Sequence, residues 1–151
     1  MQVSWKVKNF DELTPHELYE ILALRQNVFI IEQNCIYEDL DNYDQKATHV
    51  FTQNEDQKVI AYLRILPPLT KFKNDYSISR VATCQSIRKS GLGKQLMTKA
   101  LATLNESFNN PPIRISAQKY LEKFYQELGF KTVSDSYLED GIPHVEMLKT
   151  T

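Results

Sequence analysis

The residues best placed to do chemistry cluster in one stretch, Arg88-Lys89-Ser90-Gly91-Leu92-Gly93. It follows a strand candidate over 76–84 and opens a pattern in which Leu92, Leu96, Met97, Ala100, Leu101, Leu104 and Phe108 recur at helical intervals. The start of a helix presents unpaired backbone N–H groups and the positive end of the helix dipole, which together hold a phosphate or pyrophosphate. Glycines at 91 and 93 let a ligand approach the backbone without interference from Cβ, and Arg88, Lys89 and Lys94 add positive charge around the turn. The spacing fits neither Gly-x-x-x-x-Gly-Lys-Ser/Thr nor Gly-x-Gly-x-x-Gly, so it supports neither a nucleoside-triphosphate loop nor a dinucleotide loop. Taken alone, two glycines equally suit a plain strand-to-helix turn.

The elements that must position this loop follow from periodicity and punctuation. Val3, Trp5 and Val7 alternate with polar residues as in a half-buried strand over 3–7. Thr14-Pro15-His16-Glu17 supplies an N-cap, a proline at the first helical position and a capping-box glutamate. Leu18, Ile21, Leu22, Arg25, Val28 and Phe29 then predict a helix over 15–30. The polar stretch 32–46 reads as an ordered loop or short helical turn, with Cys35, Ile36 and Tyr37 as anchors. Strands are expected at 48–53 and 59–66 around an Asn54-Glu55-Asp56-Gln57 turn, and at 76–84, 113–117, 131–133 and 145–148. Pro111-Pro112 ends the helix that begins at Leu92, and Gly129 ends another over 120–128. This order predicts an α/β protein with one mixed sheet carrying helices on its faces.

With 151 residues the chain fits a single domain over 1–151, long enough to bury roughly 68–70% of its unfolded surface without metal or disulfide support. A net charge of -1 gives no pull toward nucleic acid or an anionic membrane. Cys35 and Cys84, far apart in sequence, read as free thiols with no assigned role. No basic segment followed by a long apolar run marks the N-terminus, and no run approaches 18 apolar residues, so a cytoplasmic location is expected.

Arg88-x-x-Gly91-x-Gly93, between a strand and an amphipathic helix, resembles the acyl-CoA pyrophosphate signature of the GNAT superfamily of N-acetyltransferases. Phe124-Tyr125-Gln126-Glu127-Leu128-Gly129-Phe130 is similar to the tyrosine-containing helix ending in Gly-Phe of the same superfamily, at a matching separation. Leu24-Arg25-Gln26-Asn27-Val28-Phe29-Ile30-Ile31-Glu32-Gln33, Ser116-Ala117-Gln118 and Tyr137-Leu138-Glu139-Asp140-Gly141-Ile142-Pro143-His144 resemble its ElaA-type branch. The chain departs at Lys89, where many relatives carry glycine, and at Gln118, where many carry asparagine; neither change removes a backbone donor.

The resemblance implies an α+β fold with a mostly antiparallel central sheet, helices on both faces and splayed central strands. It implies acetyl-CoA as acyl donor and no metal. The donor would be held by the backbone of Val81, Ala82 and Thr83, by Arg88, Lys89, Ser90, Gly91, Leu92, Gly93 and Lys94, and by Gln118 and Tyr125. Such a reaction needs a neutral amine, an oxyanion stabiliser and a proton for the leaving thiolate. Tyr125 is the expected general acid, a phenol of pKa about 10 facing a thiol near 8.5. For the base the candidates are Glu32, His144, His49 and Glu139, among which the sequence does not choose. Glu38, Asp39, Asp41 and Asp44 either attract a cationic amine or form a solvated loop; they lack the glycine and closing glutamate of a calcium loop. The acceptor, a small-molecule or peptide amine, is left open, as is the oligomeric state, GNAT relatives often being homodimers. The competing reading is an acyl-CoA-binding module without turnover.

Overall fold

The computed structural model describes residues 3–150; Met1 and Gln2, on which the expectation of no export segment partly rests, and Thr151 lie outside the described residues. In chain order the elements are β1 (Lys6–Asn9), α1 (Pro15–Arg25), β2 (Thr48–Gln53), β3 (Val59–Leu66), β4 (Ser77–Thr83), α2 (Leu92–Phe108), β5 (Ile113–Gln118), α3 (Glu122–Glu127), β6 (Lys131–Thr132), β7 (Tyr137–Glu139) and β8 (Ile142–Lys149). A π-helical segment, Gln26–Glu32, continues α1.

The start of α1 follows from its sequence. Thr14 Oγ1 accepts from the Glu17 N–H at 3.1 Å, Glu17 Oε1 accepts from the Thr14 N–H at 2.9 Å, and Pro15 fills the first helical position. Glu17 is buried, and the ammonium groups of Lys6 and Lys8 each reach it at 2.9 Å, so the cap also fastens α1 to β1. Burial alone would raise the pKa of Glu17. The hydrogen bonds from Thr14, Lys8 and Lys6 outweigh it and hold the group at about 2. The helix expected to reach residue 30 leaves α geometry after Arg25 and widens into π turns through Glu32, which nothing in the local pattern forecasts.

β1 through β4 form one antiparallel sheet in that order, and β5, β8 and β6 form a second, with β7 also paired to β8. The two meet at one parallel bridge, Tyr76 with Ile113, where the Arg114 N–H donates to the Tyr76 carbonyl at 2.9 Å. Beyond it β4 and β5 diverge, so the expected single mixed sheet is two four-stranded halves joined at one end. Splayed central strands are therefore a property of this fold.

Helices cover both faces. α2 lays Leu92, Leu96, Met97, Ala100 and Leu104 across both half-sheets, against Leu63 and Ile65 of β3, Ile113 and Ile115 of β5, and Met147 of β8. α1 packs Ile21 and Leu24 on the opposite face, against Phe51 and Tyr62. The β2–β3 hairpin is as expected, with Asn54 Oδ1 accepting the N–H groups of Asp56 and Lys58, each at 3.0 Å. Pairing of the first strand begins at Lys6, although Val3 and Trp5 already pack on the core. β7 was not expected. It forms because Asp140 and Gly141, at φ 51° and 78°, make a two-residue hairpin turn, which returns the chain as β8 from Ile142. Among the described residues no helix is long and apolar enough to cross a membrane.

Because the folded-state pKa of Glu17 is lowered, its contribution to stability is complete above the ordinary carboxylate value and is lost as pH falls toward about 2. Glu17→Gln should cost about 1–2 kcal/mol at pH 7 in urea unfolding. The difference from the parent protein should shrink steadily as the pH falls from 4.5 to about 2.

Candidate active site

β4 carries the irregularity on which the site is built. Tyr62 faces Ala82 and Arg64 faces Ser79, so Arg80 and Val81 together oppose Leu63 in a β-bulge. Arg80 has φ 55°, a conformation that residues other than glycine adopt at a cost. Its side chain supplies the restraint: Nε donates to Asp39 Oδ1 at 2.7 Å, Nη2 donates to the Asp39 carbonyl at 2.9 Å, and the guanidinium lies over the Tyr37 ring.

Asp39 is shared. Arg25, with no exposed surface, donates Nε to Asp39 Oδ2 at 2.9 Å and Nη1 to Asp44 Oδ1 at 2.7 Å. Arg64, also buried, donates to Asp44 Oδ1 at 2.9 Å and reaches both oxygens of Asp41 at 2.8 and 2.6 Å. Burial would raise the pKa of Asp41, but the Arg64 guanidinium overrides it and holds the carboxyl at about 2. The acidic stretch is thus neither a solvated loop nor a free lure for amines. Asp39, Asp41 and Asp44 neutralise three arginines from α1, β3 and β4, and only Glu38 stays exposed. Of the expected loop anchors, Tyr37 donates to Asp39 Oδ1 at 2.7 Å, whereas Ile36 is almost fully exposed.

At the other end of β4 residues 88–91 are exposed, and α2 is capped by Gly91, whose φ of 86° only glycine adopts freely. The first N–H groups of a helix, here including those of Gly93 and Lys94, have no intrahelical acceptor. At Gly93 the backbone makes no such demand, and an added Cβ would meet only Thr83 Cγ2 at 4.0 Å. The fold itself therefore does not require Gly93. Arg88 is engaged at the protein surface: Nε and Nη2 donate to the Thr83 carbonyl at 3.2 and 2.8 Å, and Nη1 lies 2.6 Å from Glu32. Lys89 and Lys94, like Arg88, are exposed.

A cleft of about 160 Å³ opens between the diverging strands, lined by Val81 on β4, Ala117 and Gln118 on β5, and Tyr125 on α3. Tyr125 packs edge-on against Phe124 and Phe130, and its hydroxyl has no hydrogen-bond partner among the described residues. Burial, with Tyr120 nearby, pushes its pKa up, so it remains a neutral donor. Gln118 and Gln33 pair their amides reciprocally at 3.3 Å. Ser77, at the end where the strands meet, has a buried hydroxyl without a partner.

The strand register sets the remaining wall. His144 on β8 stands between Gln118 on β5 and Tyr137 on β7, and it stacks on the Tyr137 ring. Its Nδ1 donates to the Ile142 carbonyl at 2.7 Å, which turns Nε2 toward Glu139 Oε2 at 3.4 Å. Ser116 bonds to the Tyr137 hydroxyl and donates to Glu139 Oε1 at 3.3 Å. Of the four base candidates, the structure brings Glu139 and His144 together on the cleft. Glu32 lies outside that lining, held by Arg88. His49 is buried away from it: Nε2 donates to the Asp44 carbonyl at 2.9 Å, Nδ1 accepts from the Tyr62 hydroxyl at 2.7 Å, and burial lowers its pKa. Cys35 lines the cleft and donates to the Asp140 carbonyl at 3.4 Å, while Cys84 does not reach it.

Two half-sheets parted at β4 and β5, a bulge facing the gap and a glycine-opened helix beside it make this the fold of the GNAT acyltransferases. Residues 13–151 match the family model described as an acetyltransferase (GNAT) domain, and the chain belongs to that family. Protein ElaA of Escherichia coli is 37% identical over 152 residues, 97% of this chain and 96% of that protein. A UPF0039 protein of Schizosaccharomyces pombe is 42% identical over 141 residues, 93% of this chain and 92% of its own. Among solved structures, an acyl-CoA N-acyltransferase from Pseudomonas aeruginosa matches with TM-score 0.92 at 36% identity, covering 99% of this chain and 100% of that one. The crystal structure of Escherichia coli ElaA matches with TM-score 0.90 at 35% identity, covering 98% and 99%. Family and fold together support acyl transfer from coenzyme A.

Removing the Asp39 carboxylate would leave Arg25 and Arg64 to share Asp44, and Arg80 with only its 3.4 Å contact to the Asp41 carboxylate. Asp39→Ala should therefore destabilise the protein by about 3–5 kcal/mol, the cost of removing one partner from a buried ion pair. A change below about 1 kcal/mol in urea unfolding would mean that the cluster does not hold the bulge.

Proposed function

We propose that this chain is a single-domain acyltransferase that moves an acetyl group from acetyl-CoA to a primary amine by direct attack within a ternary complex. One observation carries the reading: the cleft between β4 and β5 is lined both by Tyr125, whose hydroxyl has no hydrogen-bond partner among the described residues, and by a histidine–carboxylate pair. Leaving-group protonation and amine deprotonation need those two functions in one space.

The chain's residues divide the work. The N–H groups of Gly93 and Lys94 receive the pyrophosphate at the positive end of α2, with the Lys89 and Lys94 ammonium groups beside them. Backbone groups at the Arg80–Val81 bulge face the gap and polarise the thioester carbonyl. Acetyl-CoA supplies the activated acyl group and a thiolate leaving group. Tyr125 hydrogen-bonds that sulfur and delivers its proton, and Glu139 with His144 takes the proton from the incoming ammonium. Glu32 instead braces Arg88, and through it the end of β4. The unpaired thiols of Cys35 and Cys84 suit a reducing, cytoplasmic setting.

Calorimetry with coenzyme A, followed by thiol release from acetyl-CoA with a panel of primary amines, tests the reading. Tyr125→Phe should lower turnover about 100-fold while leaving coenzyme A affinity nearly unchanged. Binding with no turnover on any amine would favour the non-catalytic alternative, and no binding at millimolar coenzyme A would defeat both.

Gly93→Ala separates ligand clearance from folding. The new methyl has room within the protein, so stability should hold or rise by about 0.5 kcal/mol. Coenzyme A affinity should nonetheless fall, by about tenfold, because the methyl intrudes where the ligand meets the backbone.

A further inference from the structure

The loop between β3 and β4 brings one side chain to the mouth of the cleft. Lys71 Nζ lies 3.5 Å from Glu139 Oε1, the carboxylate whose other oxygen faces His144 Nε2 at 3.4 Å. All three line the cavity that Tyr125 and Val81 also line. Among the described residues Lys71 is the only lysine that does so. The other cations there, Arg64 and Arg80, are saturated by Asp39, Asp41 and Asp44, and a guanidinium is not deprotonated in proteins.

Nothing in the packing of this corner requires the ion pair. The two side chains are 36% and 37% exposed, and a pair that open to water contributes about 0–1 kcal/mol. Its geometry is that of an acceptor: a primary amine arriving as an ammonium ion would meet the same carboxylate. Lys71 is itself a primary amine on a flexible stem, held at that carboxylate without the cost of association.

We propose that Lys71 is an acceptor in the chain's own active site, acetylated in cis when acetyl-CoA is bound and no amine substrate competes. This rests on the acetyltransferase reading above. In the step, one proton of the Lys71 ammonium passes to Glu139 and His144, and the Nζ lone pair attacks the thioester carbonyl carbon. The C–N bond forms, the C–S bond breaks, and the thiolate takes its proton from Tyr125. The second proton lost by the amide nitrogen restores the phenol by way of solvent. The products are Nζ-acetyl-Lys71, free coenzyme A and one released proton.

The test uses the full chain with acetyl-CoA and no added amine, followed by site-resolved peptide mass spectrometry. Lys73 is the internal control, being exposed in the same loop but outside the cleft lining. Lys71 should be acetylated at least about tenfold faster than Lys73, at a rate constant independent of protein concentration, as intramolecular attack requires. Glu139→Gln should slow Lys71 and leave Lys73 unchanged. Equal labelling of the two lysines, or a Lys71 rate indifferent to Glu139→Gln, would reduce the event to background chemistry and overturn the inference. Coenzyme A binding with turnover of a free amine but no Lys71 labelling would overturn this inference alone. No coenzyme A binding would instead overturn the reading beneath it.

Discussion

Arg25 contributes a full positive charge to the interior with none of its surface in water, and the site depends on how that charge is met. Asp39 and Asp44 neutralise it, and the same two carboxylates extend to Arg80 and Arg64. One loop is thereby nailed to α1, β3 and β4 together. The arrangement is valuable chiefly for position, since a buried ion pair roughly offsets its own desolvation, whereas losing one partner is costly. What it positions is the bulge of β4, where Arg80 would otherwise relax out of its left-handed conformation.

Most elements were legible because their signals are local. The Thr14–Glu17 capping box, the Asn54 turn and the stripe of α2 each lie within a few residues, and each formed as their chemistry dictates. β7 went unread although Asp140-Gly141 is a strong hairpin signal, because its three residues carry little apolar pattern. The π segment had no signal, because nothing in the residue types of Gln26–Glu32 distinguishes its wider hydrogen bonding from that of an α-helix.

The site was legible in proportion to how much of it is backbone. The glycine loop and the tyrosine helix could be read from short motifs. The charged residues could not, because the sequence states their charges and not their partners. Arg25, Arg64 and Arg80 lie 14 to 41 residues from the aspartates they bind. The same gap hid the hold of Arg88 on the Thr83 carbonyl and on Glu32, and made His49 resemble His144 when one is sealed in the core and the other faces the cleft.

The divergence of β4 from β5 also leaves a debt in the backbone. Two neighbouring strands that share a single bridge hold N–H and C=O groups along facing edges with no ladder to join, so water must solvate them. A long, narrow ligand carrying amides of its own would act there as the missing strand, closing two half-sheets into one continuous sheet. Its binding energy would then appear as folding energy, growing with the logarithm of its concentration. Amides along that seam would exchange with solvent slowly only when the seam is filled, and the protein's apparent stability would report how well its donor is supplied.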